Sequence, residues 1–282
     1  MLMRICLFSK LRKEKYDILL IYHIILMNIF LYTVIFIIGA FFGSFFTLAV
    51  YRIPRKEDIL IKHSYCPNCN HKLGFFDLFP ILSYILLRGK CRYCGNKIRP
   101  RYLILELLSG FTFLLIAISI NLSINNINSI ISICFLLLYI SVLFIIAGID
   151  KEKISIQKNV IAFGYVVEII YIIYQCTLQN INVYQYVIYL IFLAIILILS
   201  VISLKLTATE KYYISILYLL LYIIIYCGSK LFILTAILTL IIIFIYSIIS
   251  KQKNKNIPFG YYLCVSNIIV IIISNILINY TI

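Results

Sequence analysis

"MNIFLYTVIFIIGAFFGSFFTLAVYRIPR", residues 27–55, runs from Met27 to Tyr51 without a charge and then meets Arg52, Pro54 and Arg55. As a helix this run is long enough to cross the ~30 Å hydrocarbon layer of a bilayer. A membrane barrel is the other spanning solution, but its strands alternate polar and apolar residues, and this run is continuously apolar. Similar runs follow at about 102–121, 130–149, 160–175, 185–204, 213–227, 231–250 and 259–280. The 282 residues are 64% hydrophobic, with a mean hydropathy of +1.08, which excludes a soluble globular domain. The sequence predicts an all-α polytopic membrane protein of about eight transmembrane helices.

The net charge of +15 invites a nucleic-acid partner. Its distribution argues against one. Eleven of the 25 Lys and Arg residues lie between Arg52 and Arg101. Loops 150–159, 205–212 and 251–258 add three, two and three more, whereas the intervening loops carry only Lys230. Nineteen against one is the pattern of the positive-inside rule, and it puts loop 52–101 in the cytoplasm and both termini outside. Membrane lipids are expected partners, since the basic loop attracts anionic headgroups.

One block disagrees. Residues 1–15 carry five Lys and Arg, and the stretch from Tyr16 to Tyr51 is too long for one span. Either Met27 is the true start, the preferred reading, or residues 1–26 are an extra element that adds a short span. The expected organisation is an N-terminal extension at 1–26, a first span at 27–51, a cytoplasmic loop at 52–101 and a membrane core at 102–282.

The loop holds "CPNCN" and "CRYCG". Cys66-x2-Cys69 and Cys91-x2-Cys94 are close to the spacing of a four-thiolate zinc site. Asn70 and Gly95 follow the second cysteine of each pair and permit the left-handed turn that aims two sulfurs at one metal. Reducing cytoplasm argues against two disulfides. A structural Zn2+ is the expected cofactor, because a loop of this size has little core and metal binding supplies folding energy. The other five cysteines lie singly and read as small buried hydrophobes.

Acids are scarce: ten in all, of which only Asp150, Glu152, Glu168 and Glu210 follow Glu106. Asp150 ends an apolar run in "FIIAGIDKEKISIQ", and Glu210 begins one in "LKLTATEKYYIS". Both sit at the cytoplasmic boundary. Two such carboxylates brought together can share one proton, the arrangement aspartic proteases use. Each alone also reads as a hydrated helix-end acid beside lysines. Glu168 lies inside a span and receives no role.

Several segments together resemble the type IV prepilin peptidases, the aspartic leader peptidases of pili, type II secretion and competence systems. They are "GAFFGSFFTLAVYRIP" (39–54), "DLFPILSYILLRGKCRYCGNKIRPRYLILELLSG" (77–110), "GIDKEKISIQKNV" (148–160) and "IPFGYYL" (257–263). The resemblance implies a multi-pass prokaryotic inner-membrane enzyme acting on prepilin or pseudopilin precursors. It implies that Asp150 is the first catalytic aspartate. The second lies in a Gly-x-Gly-Asp motif in the family; here "TATE" places Glu210 at that position, with Thr207 and Thr209 for the glycines. Gln157, Lys158 and Thr47 are further departures. Members with the cysteine loop often also methylate the new amine with S-adenosylmethionine, and Asp77 and Glu106 are where that activity would be sought. No glycine-rich nucleotide fingerprint accompanies it. A catalytically impaired paralogue serving binding or assembly is the alternative. A transporter is weaker, for want of inverted repeats.

Overall fold

The computed structural model describes residues 2–59, 63–122, 127–178, 183–202, 208–250 and 257–281. Among these there is no strand, only two isolated β-bridges. The helices are α1 (Leu2–Arg52), α2 (Leu82–Leu86), α3 (Arg101–Ser119), α4 (Ile127–Lys153), α5 (Lys158–Thr177), α6 (Val183–Ile202), α7 (Ala208–Ser250) and α8 (Phe259–Thr281). Six of those described are long and apolar enough to span a membrane. The expected tight turn at 228–230 takes the form of a break inside α7: Gly228 has φ 74° and ψ 169°. Only glycine adopts that conformation without strain, so the residue divides a 43-residue helix into two arms. Helix α1 runs unbroken through Met27, and its apolar span covers Tyr22–Arg55.

Helices α1 and α3 flank the cysteine loop and pack against each other through small residues. A methyl group on Gly43 would lie 2.7 Å from the Glu106 Cα and closer still to the Ser109 hydroxyl. Ser109 in turn donates to the Gly39 carbonyl at 2.7 Å. Lipid tails are as apolar as the helix faces, so close backbone approach and interhelical hydrogen bonds hold such pairs together.

The core lies between α1, α3, α4, α7 and α8. Phe46, Phe113, Leu143, Tyr222 and Leu263 are all buried there. Deep in it, the Tyr139 hydroxyl on α4 donates to Asn267 on α8 at 2.8 Å, and the Asn267 amide donates to Thr235 on α7 at 3.2 Å. These bonds pin α8 against α4 and α7, and so fix the height at which α8 begins beside the end of α4.

Candidate functional site

The cysteine loop folds as two similar knuckles. In the first, Asn70 N–H donates to the Cys66 carbonyl at 2.8 Å and Cys66 N–H donates to that of His71 at 3.0 Å. In the second, Gly95 N–H donates to the Cys91 carbonyl at 2.9 Å and Cys91 N–H to that of Asn96 at 2.8 Å. Asn70 has φ 56° and Gly95 φ 69°, so both turn residues take the left-handed conformation expected of them. A bridge between Tyr65 and Lys72 closes one knuckle, and one between Lys90 and Lys97 closes the other.

This geometry brings all four sulfurs within 4.8 Å of one another, with Cys66 Sγ 3.9 Å from Cys94 Sγ. A tetrahedral zinc with ~2.3 Å bonds places its sulfurs ~3.8 Å apart, so the donor set fits the ion. Burial pushes the Cys66 thiol up, but the backbone N–H groups of Cys69 and Asn68 outweigh it and bring it down to about 7. The Asn96 backbone N–H lowers the Cys94 thiol; partial burial and the three neighbouring sulfurs carry it up to about 11. Without a cation, the cluster resists becoming four thiolates. A divalent ion removes that opposition.

Asp77 and Glu106 serve this module as struts. Asp77 accepts from the Arg92 guanidinium at 2.7 Å and from Gly74 N–H and the Tyr93 hydroxyl, each at 3.1 Å. Partial burial raises its carboxyl, but the Gly74, Tyr93 and Arg92 donors more than reverse this and hold it below the usual range. Glu106, buried on α3, accepts from Ile81 N–H at 2.8 Å.

Asp150 occupies a second centre. It is the last fully buried residue of α4 and has no solvent-accessible surface. Its Oδ2 accepts the Tyr261 backbone N–H at 2.9 Å and the Tyr212 hydroxyl at 3.1 Å. Tyr261 is in the first turn of α8, so the carboxylate caps that helix, an electrostatically favourable place for an anion. Asp150 Oδ1 is buried and has no hydrogen-bond partner among the described residues. Gly260 makes room: a methyl group there would lie 3.0 Å from Asp150 Oδ2 and 3.0 Å from Ile156 Cδ1. Gly260→Ala is therefore expected to shift the carboxylate. If Asp150 takes part in catalysis, turnover should fall about 100-fold, the scale of a ~1 Å misplacement, while expression stays near wild type. A turnover time course of purified protein checks it.

Glu210 lies two residues before Tyr212, in the first turn of α7, and is exposed. Tyr212 is a side chain that α7 sets on Asp150. Thr207, Lys205 and the lysines of 251–256 lie outside the described residues. Nearby, Glu152 pairs with Arg101, tying the end of α4 to the start of α3. Lys151 lies 4.7 Å over the ring of Tyr261. Glu168 is buried in α5 with neither carboxylate oxygen bonded among the described residues.

Sequence reasoning missed Tyr212, Gly260 and Tyr261. "EKYY" offered a hydroxyl two residues beyond the suspected acid, and "IPFGYYL" a glycine at a helix start; neither signal names Asp150 as its target.

Residues 37–120 match the bacterial peptidase A24 N-terminal domain, over the α1–knuckle–α3 unit. Similar curated proteins include three named prepilin leader peptidase/N-methyltransferase. That of Vibrio cholerae is 41% identical over 87 residues, 28% of this chain and 34% of its own. That of Bacillus subtilis is 31% identical over 131 residues, 46% of this chain and 50% of its own. That of Klebsiella pneumoniae is 30% identical over 124 residues, 42% of this chain and 51% of its own. The chain thus matches about a third to a half of the length of these relatives. No solved structure matches it.

Proposed function

We propose that this protein is a multi-pass membrane aspartic endopeptidase. It removes the leader from type IV prepilin-like or pseudopilin precursors at the cytoplasmic face of the inner membrane. One observation carries the reading: Asp150 is completely buried at the end of an apolar helix and keeps one oxygen without a partner among the described residues. An intramembrane acid is costly and is by default a functional group. Its position suits a substrate whose scissile bond lies just before a hydrophobic helix.

In this chemistry one carboxylate takes a proton from water while the water oxygen attacks the peptide carbonyl. The partner, protonated, donates to the carbonyl oxygen. The C–N bond then breaks as its nitrogen is protonated. Asp150 is one member and Glu210 is proposed as the other. Tyr212 and the Tyr261 N–H are positioning groups, holding Oδ2 so that Oδ1 faces the reaction. The names of the relatives pair cleavage with N-methylation, and the reading extends to that step on those names alone. Asp77 and Glu106 hold the loop through their hydrogen bonds to Arg92, Tyr93, Gly74 and Ile81.

A second reading, an impaired paralogue acting in binding or assembly, is favoured by Glu210 being exposed while Asp150 is fully buried. Co-expression with candidate prepilins separates the two: the peptidase converts precursor to the faster-migrating mature form. Glu210→Gln should then reduce conversion by about 100-fold or more, the scale of a lost general acid or base. If wild type converts no precursor and Glu210→Asp does, the impaired reading holds.

A further inference from the structure

Between the two knuckles, residues 75–86 leave the zinc module and return to it. The tip of this excursion is held beside the membrane helices. The Phe79 ring meets the ring of Phe41 on α1 edge-on, with centroids 5.2 Å apart. Ile81 N–H bonds to Glu106 on α3. Phe41 lies eleven residues before Arg52, about 16 Å of helix, and Glu106 five residues after Arg101, about 8 Å. The tip is therefore below both cytoplasmic helix ends, at the depth of lipid.

The backbone there is built to turn back. Leu82 N–H donates to the Pro80 carbonyl at 2.6 Å around Ile81, which has φ 63° and ψ −53°. This is a γ-turn of the rare positive-φ kind, strained for a β-branched residue, and it persists because Glu106 grips its N–H.

The excursion also carries large apolar side chains that the described residues leave open. Phe75, Phe76, Leu82, Ile85 and Leu86 are 71%, 78%, 52%, 59% and 79% exposed. Phe41 and Phe45, on the neighbouring part of α1, are 41% and 44% exposed, so the apolar surface is continuous with the lipid-facing side of a membrane span. Next in the chain, back in the second knuckle and its flanks, come exposed Arg88, Lys90, Lys97 and Arg99. Apolar side chains and then a cationic collar match acyl chains and anionic headgroups in that order.

We propose that residues 75–86 form a re-entrant anchor whose apolar face inserts among the acyl chains of the cytoplasmic leaflet. Non-helical backbone at that depth requires protein at its back, which Phe41 and Glu106 supply. The anchor holds the zinc module flat on the membrane beside α1 and α3, and it stands independently of the peptidase reading.

The chain contains no tryptophan, so one introduced indole reports alone. Phe76→Trp, Leu86→Trp and Lys72→Trp, the last on the first knuckle, are made in the full chain. Each is placed in bilayer discs of phosphatidylcholine and phosphatidylglycerol with brominated acyl chains. Zinc content equal to wild type certifies each fold. At positions 76 and 86 the brominated chains should quench several-fold more than at 72, with blue-shifted emission, and aqueous iodide should quench in the opposite order. Emission and quenching at both positions matching those at 72 would overturn the anchor. So would lipid quenching that disappears on adding a pilin-like precursor, which would make the face a substrate groove.

Discussion

Asp150→Asn is expected to leave the protein folded and to abolish leader removal. The amide oxygen of asparagine can still accept from the Tyr261 N–H and the Tyr212 hydroxyl, so the cap on α8 survives. What disappears is the ability to take or hold a proton. General acid–base groups are worth roughly 100- to 10,000-fold, and a shared two-carboxylate site fails when either member goes. Cleavage of a pilin-like precursor, followed by mass spectrometry of its new N-terminus, should fall by at least about 1,000-fold. Tyr212→Phe makes the contrast. It removes one charge-assisted bond, worth ~1.5–3 kcal/mol, and spares the carboxylate, so a loss of about 10- to 100-fold is expected. If Asp150→Asn cleaves at the wild-type rate, the endopeptidase assignment fails, whatever Tyr212→Phe does.

Removing the metal should have the largest effect on structure. The loop between α1 and α3 has little apolar interior; its buried side chains are chiefly Cys66, Cys91 and Pro80. Binding of a structural zinc is worth ~10–16 kcal/mol, more than such a loop gains from its own contacts. Cys66→Ser replaces a buried ligand inside a knuckle and should bring zinc content from near one per chain to near zero. Residues 63–100 should then become sensitive to protease at low enzyme ratios, while α4 to α8 stay protected. Serine keeps the size and the knuckle hydrogen bonds are to backbone, so the loss measures the metal rather than a cavity. Metal-free protein with an unchanged digestion pattern would refute a structural zinc.

The cysteine knuckles and the flanking spans were legible because their signals are local. Hydropathy belongs to each residue, and 25 uncharged residues from Met27 to Tyr51 suffice for a span. Cys-x2-Cys followed by Asn70 or Gly95 sets both ligand direction and turn handedness within five residues. The break near residue 228 was visible as a short gap between two apolar runs. Asp150 was legible as a rare acid at the end of one such run.

Its surroundings were not. Tyr212 lies 62 positions and Tyr261 111 positions along the chain from Asp150. They meet it because Asn267, Tyr139 and Thr235 lock α8 against α4 and α7 at one height. Nor could spacing tell that Glu106 would reach back 25 residues to hold Ile81 in a strained turn, or that Phe79 would settle on Phe41. The sequence by itself determined an all-helical membrane protein with one four-cysteine loop, since apolar length and cysteine spacing act over a few turns of chain. Which polar atoms face each other at the ends of the helices was decided only by tertiary packing. Helix heights there depend on close contacts such as Gly43 against Ser109 and Gly260 against Asp150, and a single methyl group would displace them.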